Sequence, residues 1–504
     1  MTNPLFDALF APLAGRETPL LILPDAPPIS GDAFLRQVLQ MAQALVTLGV
    51  KPGDRLALQV AKSPDAFALY GACVAAGVVL LPLNPAYQQA ELGYFVQDSD
   101  AGLLLVEDHA AAVLRQAMPG RQIMGIGAFA ERAGHQSGSF APVARQTDDL
   151  AALLYTSGTT GRSKGAMLSH GNLLSNAQVL LDQWRFAADD VLIHALPIFH
   201  THGLFVAGNV ALLTGAAMIW LASFQAEQVL AAMSVATTMM GVPTFYTRLL
   251  ETPGLTRDVT AHMRLFISGS APLLAETHAE FERRTGHAIL ERYGMTETSM
   301  NTSNPYDGAR RAGTVGMPLP GVEVVIADLS SGAPLPQGAA GMIELRGPNV
   351  FQGYWNMPEK TAQDLRENGF FITGDLGRFD DQGYLHIVGR LKDLIISGGL
   401  NIYPKELELL LDEAPGVLES AVIGVPHPDF GEAVVAVLVP LPGQVPDVAE
   451  IAEGLRGQVA RFKQPKALVV KAALPRNAMG KVRKEMLRTE FAGMFMGPNS
   501  RGPD

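Results

Sequence analysis

Short aliphatic strands alternate with helical stretches as far as about residue 250, and this alternation limits the chain to few architectures. Residues 55–60 have the pattern of a strand. Residues 65–76 carry apolar side chains at helical spacing, with Gly77 placed to end the helix. Residues 78–83 and 103–107 are the next two strands. Strands joined through helices pair in parallel, with the helices on the faces of the sheet. The sequence therefore predicts an α/β protein with parallel or mixed sheets.

The pattern changes after about residue 320. Residues 322–326 and 341–345 are strands separated by Gly- and Pro-containing turns, without a helical segment between them, which predicts a small antiparallel unit. Residues 383–389 form a further strand. After Lys392 a mixed α/β pattern returns. The predicted elements there are a helix at 404–413, strands at 417–425 and 434–439, and a helix at 448–461.

Composition restricts the class of protein further. Of the 504 residues, 48% are hydrophobic, which excludes a disordered chain. The net charge of −11 argues against a nucleic-acid partner, since such proteins need a basic surface. The most apolar runs, 72–83 and 206–213, are shorter than the ~20 residues of a membrane span, and the N-terminus lacks the features of a secretory signal. From these two features we expect no membrane partner. Cys73 is the single cysteine, so we also expect no disulfide and a cytoplasmic location. The oligomeric state, monomer or dimer, is left open.

A segment rich in Gly, Ser and Thr, residues 155–165, follows a predicted strand at 150–154. Backbone N–H groups at glycines, side-chain hydroxyls and one lysine are the groups that hold a polyphosphate. The segment is not a Walker A loop, because Gly165 follows Lys164 where a Ser or Thr would hold Mg²⁺. The alternative is a surface loop of small residues. The candidate phosphate-binding residues are Thr156, Ser157, Gly158, Thr159, Thr160, Gly161 and Lys164.

The complete 155–165 string resembles the signature of the adenylate-forming superfamily, which comprises acyl-CoA synthetases, luciferases and peptide-synthetase adenylation domains. Four further segments resemble that family's motifs and occur in the family's order. They are residues 268–272, 293–298, 373–375 and 389–399, and a fifth segment at 475–481 resembles the motif that carries the catalytic lysine. A single Asp or Lys in such a string would be unremarkable, whereas the ordered set indicates adenylation.

The resemblance implies a role for each motif residue. It places ATP and its phosphates at Ser270, Ala271, Pro272, Glu291, Arg292, Tyr293, Asp375 and Arg390, in addition to the loop residues above. It assigns Mg²⁺ to Glu297 and Thr160, and catalysis to Lys481, Thr296, Glu297 and His200. Attack of a carboxylate on the α-phosphorus of ATP brings two anions together, so positioning and charge neutralisation dominate the catalysis.

The resemblance also implies the domain organisation. We expect a large N-terminal adenylation domain over residues 1–389, made of parallel or mixed sheets with flanking helices plus a small antiparallel unit. A hinge at 390–392 and a small, mobile α+β C-terminal domain over 393–504 follow it.

The family's second step implies a rotation of that C-terminal domain. Lys392 is the implied pivot, and the rotation would withdraw Lys481 once the acyl-adenylate has formed. Gly398 and Gly399 would then lie at the pantetheine of coenzyme A, where small residues allow a thin ligand to pass. A simple turn at a strand end is the alternative for these two glycines.

His200 stands where amino-acid-activating relatives carry an Asp for the substrate ammonium group, and no acid lies nearby. This disfavours an amino acid as substrate. His200 and His202 could also suggest zinc, but the residues after Gly203 do not extend the pair to a metallohydrolase motif. We therefore interpret His200 as a residue of the acyl pocket.

Two arginines indicate which acid is activated. Arg248 lies in a segment, 241–250, that is expected to form a wall of the acyl pocket, and Arg292 precedes Tyr293 directly. A guanidinium group binds a carboxylate through two hydrogen bonds, so the pair suggests a short dicarboxylic acid. Two alternatives stay open, in which Arg248 faces solvent and Arg292 pairs with an acid such as Glu291. The candidate substrate residues are Arg248, Arg292, His200 and Ser268.

The sequences around these residues, 194–204, 263–273, 291–304 and 310–316, resemble the malonyl-CoA synthetase subfamily. This resemblance implies ATP-dependent ligation of malonate, or of methylmalonate, to coenzyme A through an acyl-adenylate, with release of AMP and pyrophosphate. The alternative is a short- or medium-chain or aryl acyl-CoA synthetase. A nucleotide sensor without ligase activity and a kinase are two further classes, disfavoured by Lys481 and by Gly165 respectively.

Overall fold

The structure is a computed structural model that describes residues 2–156, 163–397, 400–456, 458–477 and 480–495. It divides into two compact units. Unit 1 comprises Met1–Val324 and Leu345–Phe371, and unit 2 comprises Val325–Glu344 and Ile372–Asp504. The predicted division into residues 1–389, a hinge at 390–392 and residues 393–504 has different boundaries and stays a prediction.

Two sheets organise unit 1, as the strand–helix alternation predicts. The first sheet has six described strands, five of them running parallel and the last one antiparallel to its neighbour. In spatial order they are Gln122–Gly125, Leu103–Val106, Arg55–Gln59, Val79–Pro82, Leu150–Thr156 and Lys164–Ser169. These strands are rich in Leu, Val and Ala, and their side chains are buried because helices cover the sheet.

The second sheet of unit 1 has nine described strands and a parallel centre with antiparallel edges. In spatial order they are Met317–Pro318, Ser299–Ser303, Leu290–Met295, Leu265–Ser268, Thr238–Gly241, Val191–His194, Ala217–Trp220, Pro19–Ile22 and Ile29–Ser30. Gly241 pairs with Ser268, and Ser268 pairs with Glu291. The carboxyl ends of these neighbouring parallel strands therefore meet at one edge, where open α/β sheets bind their ligands.

The helices of unit 1 follow the sequence signals for helix ends. The helix Pro64–Ala76 has Ser63 as its N-cap and ends at Gly77 in the left-handed conformation, at φ 68°. A side chain at Gly77 would also collide with the guanidinium group of Arg145. The other helices are Pro4–Leu9, Gly31–Thr47, Gln89–Asp98, Asp108–Ala117, Ile126–Gly134, His170–Gln183, Gly208–Thr214, Ala226–Ala232, Pro243–Glu251, Ala275–Thr285 and Pro358–Asp364.

Unit 2 contains most of a four-stranded sheet and a separate five-stranded sheet among its described residues. The first is formed by Glu323–Ala327, Gly341–Arg346, Phe371–Phe379 and Leu385–Arg390. The second is formed by Leu400–Ile402, Ile395–Ser397, Gly431–Pro440, Val417–His427 and Ala467–Val470. Its helices are Pro404–Asp412, Val448–Arg456 and Lys484–Phe491. The predicted fold class is confirmed: it is α/β, with parallel or mixed sheets flanked by helices, a small antiparallel unit and an α+β C-terminal part.

One predicted helix is too long. The helix expected over 448–461 ends at Arg456, and a short 3₁₀ turn at Arg461–Lys463 follows. The prediction followed the apolar spacing, which continues to Val459, but residues 458–460 are not helical. In the described part of the chain, no helix has the length and apolar character needed to cross a membrane.

Candidate active site

Thr296 and Glu297 lie in the tight turn that joins the strands Leu290–Met295 and Ser299–Ser303 of unit 1. The backbone N–H of Thr298 donates to the carbonyl of Met295 at 3.2 Å and closes the turn. Gly294 is required here, because a Cβ atom would lie 1.9 Å from the carbonyl oxygen of Ser299. The hairpin thus holds Glu297 in a fixed place, where the residue is 5% exposed.

A polar cluster in unit 1 connects Glu297 to the end of the candidate phosphate loop. The hydroxyl of Tyr354 donates to Glu297 Oε1 at 3.1 Å, and the amine of Lys164 lies over the Tyr354 ring, 4.2 Å from its centroid. Asp364 lies 3.7 Å from the Lys164 amine and accepts from Lys360 at 2.7 Å. Burial lowers the pKa of Lys164, while the charges of Asp364 and Glu297 oppose that shift. One carboxylate and one amine are therefore held by the same aromatic side chain.

Arg292 is a buried cation. The residue is 4% exposed, and its Nε and Nη2 atoms have no hydrogen-bond partner among the described residues. Burial lowers the pKa of Arg292 to about 9. The guanidinium group lies against Gly269, where a Cβ atom would be 2.4 Å from the Arg292 Cζ. A buried charge without a counter-ion is costly, so the site suits an anion from solution.

The alternative for Arg292, an ion pair with Glu291, stays a prediction, although the structure gives Glu291 a different neighbour. Neighbouring residues of a strand point to opposite faces, and Glu291 lies beside His278, with 3.6 Å between Glu291 Oε1 and His278 Nδ1. Both of those side chains are buried. The alternation along the strand therefore directs Glu291 and the Arg292 guanidinium group to opposite faces.

His200 and His202 lie beside Arg292 at the start of a π-helical segment, His202–Ala207. Burial, followed by the charge of Arg292, lowers the pKa of His200 to about 4 and holds the pKa of His202 well below its usual range. Both rings are therefore neutral at pH 7. His202 Nδ1 lies 3.2 Å from the hydroxyl of Ser270, a residue with φ 72° that is in a strained backbone region. One cation and two neutral imidazoles thus meet at the loop that contains Ser270.

Arg248 has a different environment from Arg292. It lies in the last turn of the helix Pro243–Glu251, and its side chain is exposed, whereas Tyr246 and Leu249 are buried. The structure thus does not place Arg248 in a buried wall. Ser268, by contrast, is 1% exposed, and its hydroxyl has no hydrogen-bond partner among the described residues.

Unit 2 brings together Asp375, Arg390 and Lys481. Asp375 and Arg390 pair across neighbouring strands, and Arg390 Nε donates to Asp375 Oδ1 at 2.8 Å. Burial, followed by the charge of Arg390, lowers the pKa of Lys481 to about 8, and the charges of Asp375 and Asp393 oppose this. Lys392 and Asp393 lie in the 3₁₀ turn Leu391–Asp393, and Asp393 accepts from Arg488 at 2.6 Å. Two predicted ATP residues, Asp375 and Arg390, are thus neighbours of the predicted pivot Lys392 and the predicted catalytic lysine Lys481.

For several predicted site residues the structure gives only the position in the fold, and others lie outside the described residues. Thr156 and Lys164 pair at the ends of two antiparallel strands, Tyr293 is half-buried in its strand, and Pro272 is exposed beside the half-buried Ala271. The remaining predicted loop and coenzyme A residues lie outside the described residues; they are Ser157, Gly158, Thr159, Thr160, Gly161, Gly398 and Gly399.

The sequence analysis missed Tyr354 and Asp364. Tyr354 is 57 residues from Glu297 along the chain, so no local spacing connects the two. The only available signal was a cluster of aromatic residues at 351–355, which is more typical of a core. Among the described residues, no group of three or more His, Cys, Asp or Glu side chains could hold a metal. A Mg²⁺ ion bound through one carboxylate and substrate phosphates needs no such group.

The fold and these residues define a nucleotide-dependent enzyme of the adenylate-forming class. The chain belongs to the AMP-binding enzyme family, whose model matches residues 25–355, and the family's C-terminal domain matches residues 406–481.

Known proteins of this class are similar over nearly the whole chain. ATP-bound MatB from Rhodopseudomonas palustris has 52% sequence identity and a TM-score of 0.95, over 98% of this chain and 100% of that one. A feruloyl-CoA synthase from Amycolatopsis is 38% identical, over 90% of this chain and 92% of the relative. A malonate–CoA ligase from Arabidopsis thaliana is 36% identical, over 82% of this chain and 74% of the relative.

Proposed function

We propose that the protein is a malonate–CoA ligase. Malonate reacts with ATP to give malonyl-AMP and pyrophosphate, and the thiol of coenzyme A then displaces AMP to give malonyl-CoA. The similarity to malonate–CoA ligases of Arabidopsis thaliana and Mus musculus, at 36% and 35% identity, supports this substrate. Methylmalonate is a second acid of the same chemistry. Cys73 is the single cysteine and is free and buried, so no disulfide forms within the chain, which fits action in a reducing cytoplasm.

The burial of Arg292 without a counter-ion is the observation that carries the proposal. The acids that the relatives activate differ in whether a second anionic group is present, and a buried guanidinium group without a counter-ion favours an acid that brings one. The carboxylate that is not activated would pair with Arg292. His200 and His202 are neutral there, so they add hydrogen bonds without adding charge. An aryl or fatty acid would leave the guanidinium group buried and unpaired.

The remaining residues act on the nucleotide. Thr296 would contact the α-phosphate, Lys164 the β- and γ-phosphates, and the Asp375 carboxylate the ribose hydroxyls. A protonated Lys481 would hold the attacking carboxylate and the α-phosphate, whose negative charges otherwise repel each other.

Glu297 suits Mg²⁺, because its buried carboxylate supplies the hard oxygen ligand that this ion prefers. Bound Mg²⁺ would neutralise phosphate charge. Tyr354 orients the same carboxylate through its hydroxyl, and its ring holds the Lys164 amine.

Replacing Tyr354 with phenylalanine tests that arrangement. The ring and its contact with Lys164 remain, while the hydrogen bond of the hydroxyl to Glu297 and its interaction with Asp364 are lost. We expect kcat/KM for MgATP to fall roughly tenfold, which is ~1.4 kcal/mol and typical of one hydrogen bond to a charged group. Initial rates at varied MgATP measure it, with Tyr87→Phe as the control for loss of a tyrosine hydroxyl. Equal rates in the wild type and Tyr354→Phe would show that Glu297 is positioned without Tyr354.

A panel of acids tests the proposed substrate. CoA-dependent AMP release is measured with malonate, methylmalonate, succinate, acetate, ferulate and octanoate. We expect malonate to have the highest kcat/KM, and to exceed acetate by at least about 30-fold, because a paired buried charge contributes ~2–5 kcal/mol. A preference for acetate, ferulate or octanoate would refute the dicarboxylate proposal, and release of ADP would refute adenylation itself.

A further inference from the structure

Lys62 is a lysine with an unusual environment in unit 1. It follows the strand Arg55–Gln59 of the six-stranded sheet, and its amine reaches His194, at the end of a strand of the nine-stranded sheet. The amine lies 2.8 Å from His194 Nδ1 and donates to the His194 carbonyl at 2.6 Å. It also lies over the Trp220 ring, 4.3 Å from the centroid. Within the described residues no carboxylate pairs with it.

The hydrogen bonds determine the tautomer of His194. Its Nε2 lies 2.9 Å from the carbonyl oxygen of Gly203, which can only accept, so Nε2 carries the proton. Nδ1 of the neutral ring is then an acceptor and faces the amine of Lys62. Burial holds the pKa of His194 well below its usual range, and the charge of Lys62 adds to that shift. Lys62 and Gly203 therefore fix both nitrogens of one buried imidazole.

Gly203 is part of the turn that carries the acyl-site histidines. Its N–H donates to the His200 carbonyl at 3.1 Å, and its own carbonyl accepts from Gly208 within the π-helical segment. A Cβ atom at Gly203 would lie 2.1 Å from the carbonyl oxygen of Pro197, so the turn tolerates little change. π-Helical turns are rare and concentrate at functional sites. The position of this turn decides where His200 and His202 stand relative to Arg292.

We propose that Lys62 is a positioning residue that acts through His194 to hold the turn bearing His200 and His202, and that it thereby sets the affinity for the acid. A methionine has a similar length and would fill the same space beside Trp220 without burying an amine, so packing alone does not require lysine here. The inference rests on the proposed function only in taking these two histidines as the wall of the acyl site. It does not depend on which acid is bound.

Lys62→Met tests this role, with Lys51→Met as the control, because Lys51 is exposed in the loop before the same strand. Kinetics use the acid that the wild type prefers in the panel above, so a failed malonate assignment stays distinguishable. We expect KM for that acid to rise at least tenfold and KM for ATP to change less than twofold. The melting temperature should stay the same or rise, since a buried amine is removed. Lys62→Gln, which keeps a shorter donor, replaces Lys62→Met if the latter does not fold.

The histidine rings give a readout that is independent of activity. In ¹⁵N-histidine-labelled protein, the ring signals of His194, His200 and His202 are assigned with His→Gln variants at each position. Lys62→Met should shift the His194 Nδ1 signal and also those of His200 and His202, whereas Lys51→Met should shift none. An unchanged KM for the acid together with unchanged His200 and His202 signals would overturn the proposal. Equal increases in both KM values with a lower melting temperature would instead indicate a purely structural lysine.

Discussion

Replacing Arg292 with methionine should abolish most activity with malonate and leave activity with acetate nearly unchanged. Arg292 is 4% exposed and its Nε and Nη2 atoms lack a protein partner in the described chain, so a substrate carboxylate would be its counter-ion. Loss of one partner from a buried charge pair costs ~2–5 kcal/mol, which corresponds to a decrease of roughly 30- to 5,000-fold in kcat/KM for malonate. Acetate has no second carboxylate and loses nothing of that size.

The ratio of kcat/KM for malonate to that for acetate is the quantity to measure, because it cancels changes in folded fraction and in ATP binding. KM for ATP reports separately on the nucleotide site. Arg283→Met is a matched control, since Arg283 is exposed and pairs with Glu280 on a helix surface. Arg248→Met is the informative second variant. A decrease there as well would place the exposed Arg248 at the substrate, and an unchanged ratio would leave Arg292 as the sole anchor.

Arg292→Met should also stabilise the protein in the absence of substrate. Arg292 is a buried, uncompensated cation, and removing such a charge is expected to raise the free energy of unfolding by ~1–3 kcal/mol. Chemical denaturation of both proteins measures this difference. Malonate should raise the melting temperature of the wild type and have little effect on Arg292→Met. If Arg292→Met is instead less stable, the guanidinium group has a structural partner and the dicarboxylate proposal loses its basis.

Much of the fold could be predicted because it depends on local signals. Gly77 ends a helix, and the structure shows the left-handed conformation there that the sequence suggests. Apolar spacing was less reliable at the helix Val448–Arg456, where the periodicity continued to Val459 beyond the actual end. The spacing of apolar residues indicates which face of a helix would be buried, but it does not indicate where the helix ends.

The site was predictable only in so far as its residues lie in continuous motifs. Glu297, Asp375 and Lys481 belong to such strings, and the structure places two of them, Asp375 and Lys481, in one electrostatic group. Tyr354 and Lys62 belong to none. Lys62 reaches His194 across 132 residues of sequence, and that contact depends on how two sheets of unit 1 face each other. The burial of Arg292 without a counter-ion likewise depends on the packing around Gly269.

The role proposed for Lys481 in adenylation leads to the second large effect. Lys481→Gln should lower the rate of acid-dependent ATP–pyrophosphate exchange by roughly 100- to 1,000-fold, the loss that follows removal of one donor from a developing anionic charge. When chemically prepared malonyl-AMP and coenzyme A are supplied, this variant should form malonyl-CoA at nearly the wild-type rate. The proposed role of the amine ends once the adenylate has formed. Similar losses in both half-reactions would mean that Lys481 supports the structure of unit 2 and has no role specific to adenylation.

The pH dependence of the same exchange reaction tests the charge of Lys481. Burial lowers its pKa to about 8, and only the protonated amine neutralises the attacking carboxylate and the α-phosphate. The exchange rate should therefore fall as the pH rises through about 8, approaching tenfold for each further pH unit. Lys481→Arg keeps its charge at these pH values, so whatever exchange it retains should not decline there. A wild-type profile that stays flat to pH 10 would show that the amine acts without its proton, and the assigned electrostatic role would then be wrong.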